Sequence, residues 1–191
     1  MRHPFLIGER VYLRALEDSD VGDAYPQWLN DAEVCRFNSH HRFPATAGGA
    51  RRFIEAAGNS RTELTLAIVL RGDNTHIGNV TLQKIDHISR NAEFAILVGS
   101  KEHWGKRYAR EASELIVDHG FRELNLHRIY CGTDARNDGM RRLAAALGMR
   151  EEGCRRDAIF KDGGFRDIVE FGVLRDEFYA RAGAGQGQQE R

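Results

Sequence analysis

At 191 residues the chain is long enough for one globular domain with a real core, and its 41% hydrophobic and 29% charged residues exclude a disordered polymer. Lysine plus arginine and aspartate plus glutamate number 28 each, so the formal net charge is zero, which argues against a dedicated nucleic-acid binder. No run approaches the roughly 18 apolar residues of a membrane span, and no secretory leader pattern precedes the first strand-like residues, so a cytoplasmic protein with no membrane partner is expected.

Residues 6–16 read as a first strand, with Val11, Leu13 and Ala15 alternating against polar neighbours. Glu17, Asp18, Ser19 and Asp20 form a helix start ahead of Val21, Ala24, Tyr25 and Trp28. Pro26 is expected to shorten or kink that helix. A second short helix is expected from near Asp31. A third follows Thr46, carries Ala50, Phe53, Ile54 and Ala57, and is closed by Gly58-Asn59. Strands at 64–70 and 77–82 flank Arg71-Gly72-Asp73-Asn74 and form a hairpin. Strand 91–98 leads to a helix over about 105–124, with Tyr108, Ala112, Leu115, Ile116 and His119 on one face. Strand 128–133 and a helix from Asn137 to Leu147, ended by Gly148, come next. Two final strands, 155–160 and 165–174, are joined by Lys161-Asp162-Gly163-Gly164, a hairpin signal. The fold class is α+β, or mixed α/β, around one sheet, with a parallel right-handed crossover between residues 94 and 133. A single domain over 1–180 is expected, with a Gly/Gln-rich disordered tail over 181–191.

The three cysteines, Cys35, Cys131 and Cys154, show no metal-ligand spacing, so free thiols in a reducing compartment and no metal are expected. The most informative segment is Trp104-Gly105-Lys106-Arg107-Tyr108-Ala109-Arg110-Glu111-Ala112. It follows the apolar run Phe94-Ala95-Ile96-Leu97-Val98 and opens a helical pattern. The first N–H groups of a helix lack partners within it, and the helix dipole favours negative charge there, so a strand, a Gly-containing turn and a helix start make an anion site. A diphosphate suits such a turn.

Several segments together resemble the GNAT family of N-acetyltransferases, in its RimJ/RimL-type branch, over about residues 6–178. The opening Arg10-Val11-Tyr12-Leu13-Arg14-Ala15-Leu16 with Glu17-Asp18 is similar to the branch's first strand and helix. Trp28-Leu29-Asn30-Asp31-Ala32-Glu33-Val34 resembles its W-x-N-D-P-E-V segment, with Ala32 for proline. Asn91-Ala92-Glu93-Phe94-Ala95-Ile96 resembles A-E-I-G-Y, and residues 104–112 resemble the acyl-CoA pyrophosphate loop W-G-K-G-Y-A-x-E-A. Asp134-Ala135-Arg136-Asn137, Leu147-Gly148-Met149 and residues 156–163 resemble the closing strand, helix and hairpin.

The resemblance implies a twisted mixed sheet flanked by helices, with acetyl-CoA as cosubstrate bound where two central parallel strands splay. It implies direct acetyl transfer, in a ternary complex, to a primary amine: a protein N-terminus, an amino sugar or another small amine. The implied cofactor-binding residues are Ile96, Leu97, Val98, Trp104, Gly105, Lys106, Arg107, Tyr108, Ala109 and Asn137. Asn137 serves equally well as a helix cap. Arg107 stands where the family has glycine, and either clashes with a phosphate or turns outward to pair with one. Glu93 is the candidate general base, with a plain ion-pairing glutamate as the alternative. Ala144 replaces the tyrosine that in many relatives protonates the departing thiolate, and Met140 a usual serine, which leaves the general acid unassigned. Tyr108 and Tyr130 are read as packing residues first, and His87 as a solvated loop residue. A homodimer is a family-level expectation. The alternative from another class is a non-catalytic acyl-CoA-binding module.

Overall fold

A computed structural model describes residues 1–22 and 25–186; Ala24 of the expected first helix and residues 187–191 of the expected tail lie outside the described residues. The elements are β1 (Leu6–Ile7), β2 (Val11–Ala15), α1 (Asp18–Gly22), α2 (Tyr25–Asn30), α3 (Ala47–Asn59), β3 (Leu64–Leu70), β4 (His76–Asp86) and β5 (Asn91–Val98). They continue with α4 (Tyr108–Arg122), β6 (Arg128–Asp134), α5 (Asp138–Ala146), β7 (Arg150–Lys161), β8 (Gly164–Leu174) and α6 (Arg175–Gln186). One sheet holds all eight strands in the order β1-β2-β3-β4-β5-β6-β8-β7. Every neighbouring pair is antiparallel except β5 and β6, which run parallel through the crossover helix α4. The expected mixed α/β architecture is the observed one.

Strand alternation sorts the side chains onto two faces. Val11, Leu13, Leu66, Ile68, Val80, Leu82, Ala92 and Phe94 meet Ala112, Ile116, Val117 and Phe121 of α4 in the main core. Each fully buried aliphatic or aromatic side chain there contributes roughly 1.5–3 kcal/mol of transfer free energy. Leu16 and Leu97 pack instead with the helical cluster of Val21, Tyr25, Trp28, Ala50 and Ile54, on the opposite face. Beneath those helices Arg14 and Asp20 form a bidentate pair at 2.8 and 2.7 Å, and His76 Nδ1 lies 3.2 Å from the same carboxylate.

Several boundaries differ from the sequence reading. The first strand is a tight hairpin of two, because the chain folds back after Ile7 with Gly8 N–H donating to the Val11 carbonyl at 2.9 Å. The short helix expected from Asp31 is not formed: residues 32–37 are turns. α2 ends at Asn30, and the Asp31 carboxylate accepts from the N–H groups of Glu33 and Val34 in a turn. The helix expected from Glu17 through Trp28 is shortened, as α1 ends at Gly22, and Pro26 is the second residue of the separate helix α2, where its missing N–H costs nothing and its fixed φ favours the helix. β4 and β7 are longer than expected, each carrying bulges that break the alternation. Helix α6 extends to Gln186, into the segment read as a disordered tail. The β7–β8 turn is as expected: Asp162 and Gly163 both have positive φ, 49° and 79°, as a two-residue hairpin turn requires.

Candidate active site

β5 and β6 pair only at Asn91↔Arg128, Ala92↔Ile129 and Glu93↔Tyr130. Beyond that rung β5 continues to Val98 and β6 to Asp134, each still paired on its outer side. The strands therefore splay, and every second backbone amide and carbonyl of residues 94–98 faces a gap with no strand in it. Ile96 and Leu97 line this edge, Ile96 packed on the main core and Leu97 on the helical cluster. The Val98 carbonyl is taken: Trp104 folds back and donates its indole N–H to it at 2.7 Å.

The loop into α4 has left-handed residues at alternate positions, Gly105 (φ 74°) and Arg107 (φ 66°, ψ 10°), with Arg107 as the N-cap. The first helical bond in this turn runs from Glu111 N–H to the Arg107 carbonyl at 3.3 Å, so the amides of Tyr108, Ala109 and Arg110 are left without helical partners. Arg107 thus holds a left-handed backbone conformation that glycine adopts freely, at a cost of roughly 1–2 kcal/mol for a residue with a Cβ. Its side chain makes no capping bond and is exposed, as is that of Lys106. Free amides at a dipole's positive end, with two solvent-facing cations beside them, fit a diphosphate.

Arg10 is a candidate site residue that sequence reasoning missed. It donates to the Lys106 carbonyl at 3.1 Å, pairs with Glu111 at 3.1 Å, and lies over the Tyr108 ring at 4.9 Å. It braces the loop from a position 96 residues earlier in the chain. Glu111 is engaged by the backbone N–H groups of Arg10 and Val11 as well, so it faces away from the diphosphate turn. Asn137 caps α5: its Oδ1 accepts from Met140 N–H at 3.1 Å and its amide donates to Thr133 Oγ1 at 3.0 Å. One amide hydrogen remains for a ligand. Just ahead of it, the buried Asp134 holds Arg136 and Arg166, at 3.2 and 3.3 Å, fixing the turn that presents Asn137.

Glu93 occupies the last paired rung before the splay. Its side chain is 21% exposed, and Lys84 Nζ lies 2.7 Å from Oε2. The carboxylate raises the Lys84 ammonium above its usual pKa. Tyr130, opposite Glu93, is half-buried under the Arg128 guanidinium. Tyr108 packs against the main core beside Arg10. Ala144 is fully buried in that core, so no side chain at its position faces the gap. Burial pushes the Cys131 thiol up to about 12, which removes it as a nucleophile. His87 is exposed, its Nε2 3.0 Å from the Arg61 carbonyl oxygen. Among the described residues no three His, Cys, Asp or Glu side chains converge on a point where a metal could sit.

The model of the acetyltransferase (GNAT) domain matches residues 10–150. The chain belongs to the GNAT acetyltransferase family. An uncharacterised N-acetyltransferase of Bacillus licheniformis is 30% identical over 91% of this chain and 97% of its own length. Spermidine N(1)-acetyltransferase of Escherichia coli K12 is 29% identical over 89% of each chain. The crystal structure of spermidine N-acetyltransferase from Vibrio cholerae in complex with CoA and spermine superposes with a TM-score of 0.81, at 25% identity, over 89% of this chain and 98% of that one. Acetyl-CoA is accordingly the acyl donor of this GNAT enzyme, and the splay with its left-handed loop is where the residues suit it.

Proposed function

We propose that the chain acetylates a primary amine by direct attack in a ternary complex, with Glu93 as general base. We further assign it to the RimJ/RimL-type branch, on the strength of the segments at 28–34, 91–96 and 104–112. One observation carries the reading. The three-rung parallel seam ends at Glu93, so the carboxylate sits at the closed end of the gap whose open end leads to the diphosphate loop.

Acetyl-CoA supplies an activated thioester carbonyl. The amides after Arg107 hold the diphosphate, with Lys106 and Arg107 adding charge-assisted contacts. The free edge of β5 aligns the pantetheine arm as a surrogate strand, and the spare amide hydrogen of Asn137 meets it from β6's side. Glu93 takes the proton that the acceptor ammonium must lose before its nitrogen attacks. The C–N bond forms, the nitrogen gives up its second proton to solvent, the C–S bond breaks, and the thiolate takes a proton from solvent, since α5 offers no acid at Ala144. Positioning supplies much of the rate.

The acceptor is a small-molecule amine rather than a protein N-terminus, a reading supported by the small molecules, spermidine and spermine, that two of the relatives' names print. Three unpaired cysteines, two of them buried, accord with the reducing cytoplasm; no helix among the described residues is long and apolar enough to cross a membrane. A homodimer completes the proposal, tested by sedimentation. Calorimetric titration with acetyl-CoA and thiol release with a panel of amines test the core of it. Absence of binding at millimolar acetyl-CoA overturns the acyl-CoA site. Binding without thiol release for any amine favours the non-catalytic acyl-CoA module.

A further inference from the structure

Residues 31–45 form a loop pinched at its base, where Asn30 exchanges two hydrogen bonds with the backbone of Ala45 at 2.8 and 2.7 Å. Near its start Asp31 and Glu33 hold Lys101, just past the end of β5, at 2.8 and 3.0 Å. Farther along, Arg42 donates to the Phe160 carbonyl at 2.9 Å and Lys161 Nζ donates to the His40 carbonyl at 3.1 Å. β6 lies between β5 and β8 in the sheet, so a loop tied to the end of β5 and to the β7–β8 turn spans the mouth of the splay.

Between loop and turn lies a cavity of about 320 Å³ lined by Ala32, His41, Arg42, Phe160, Lys161 and Asp162. Lys161 is only 9% exposed, yet its sole partner among the described residues is a carbonyl oxygen. Among the described residues neither Lys161 nor Arg42 has a carboxylate partner. Asp162, the cavity's one acid, is engaged by Arg166 at 2.8 Å. A buried ammonium without a counter-ion is costly, and each cation keeps spare donors, two on Lys161 and most of the Arg42 fork.

We propose that this cavity is an anion subsite of the acceptor site, and that the amine acetylated by this chain carries an oxyanion, a carboxylate or a phosphate, on the same molecule. The inference rests on the acetyltransferase reading for the word acceptor, but the subsite stands on its own geometry. It also sets this chain apart from a polyamine enzyme, because two uncompensated cations at the cleft mouth repel a second ammonium. The Glu93–Lys84 pair adds no net negative charge to offset them.

The test titrates the full chain, saturated with coenzyme A to block the diphosphate loop, with inorganic phosphate and separately with succinate. Wild type is expected to bind at least one probe, and R42Q and K161Q each to weaken that binding roughly tenfold or more, with acetyl-CoA affinity unchanged. Phosphate alone or succinate alone identifies the oxyanion. Lys161 is buried, so circular dichroism accompanies K161Q, and the exposed Arg42 variant decides if K161Q misfolds. Failure of both probes to bind wild type, or equal affinity in R42Q, overturns the subsite. In thiol-release assays an amino-carboxylate is expected to exceed its own amide by about tenfold in kcat/KM, a gap that R42Q closes; preference for spermidine overturns the acceptor class. Probe binding through Arg42 with no thiol release from any amine keeps the subsite and removes the enzyme reading instead.

Discussion

In the proposed reaction two residues carry the chemistry most directly. Glu93 is partly sheltered and held by Lys84 at the last rung of the parallel seam. As general base it acts on the acceptor and not on the donor, so E93Q is expected to lower kcat by about 100-fold or more while leaving the acetyl-CoA Kd within about twofold. Steady-state kinetics with parallel calorimetry read this, and unchanged turnover across pH removes Glu93 from the role. Arg107 combines a strained backbone with a free cation. R107A keeps the strain and loses the charge; R107G loses both. Both variants are expected to bind acetyl-CoA several-fold more weakly, whereas R107G is expected to be more stable than R107A by about 1 kcal/mol. Equal melting temperatures for the two show that the left-handed conformation carries no cost.

At the scale of elements, the site is set by how helices are seated on strand ends. Trp28 of α2 lies on the backbone of Gly99, immediately past β5, so closely that an added Cβ would sit 1.9 Å from its ring. G99A therefore expels the indole or shifts the strand end, at a cost of at least about 2 kcal/mol, and is expected to weaken acetyl-CoA binding as well. Urea denaturation and calorimetry check the two effects. The turn from β5 into α4 was legible in the sequence because its signals are local: an apolar run, a glycine, then a helical period. The same locality made the β7–β8 turn legible. The break after Ile7 was not, since residues 6–16 alternate well enough for one strand and the hairpin is secured by Glu111, 101 residues away. Arg10 escaped notice for the same reason. Asp31 has the chemistry of a helix cap and uses it in a turn, which residue preference alone does not distinguish.

For the molecule as a whole, the buried Arg14–Asp20 pair links the helical face of the sheet to its strands. Burial alone would raise the Asp20 carboxyl, but hydrogen bonds from Arg14 and His76 outweigh it and hold the group far below the usual carboxylate range. A depressed folded-state pKa contributes stability that is fully present above the unfolded value of about 4 and is lost as pH falls through the folded one. Urea midpoints are therefore expected to fall between pH 5 and pH 2 in wild type. D20N, which strands the Arg14 charge, is expected to lose about 3 kcal/mol at pH 7 and to show a flatter acid limb; parallel acid limbs would mean that other carboxylates govern the transition. The three-rung seam has a wider consequence. It divides one continuous sheet into two panels, β1–β5 and β8–β7 with β6, joined by little backbone pairing besides the α4 crossover. A molecule lying in the gap bridges the panels, so it acts as a clasp on cooperative opening. Native-state hydrogen exchange is expected to report two protection classes in the free protein, which merge toward one when coenzyme A is added.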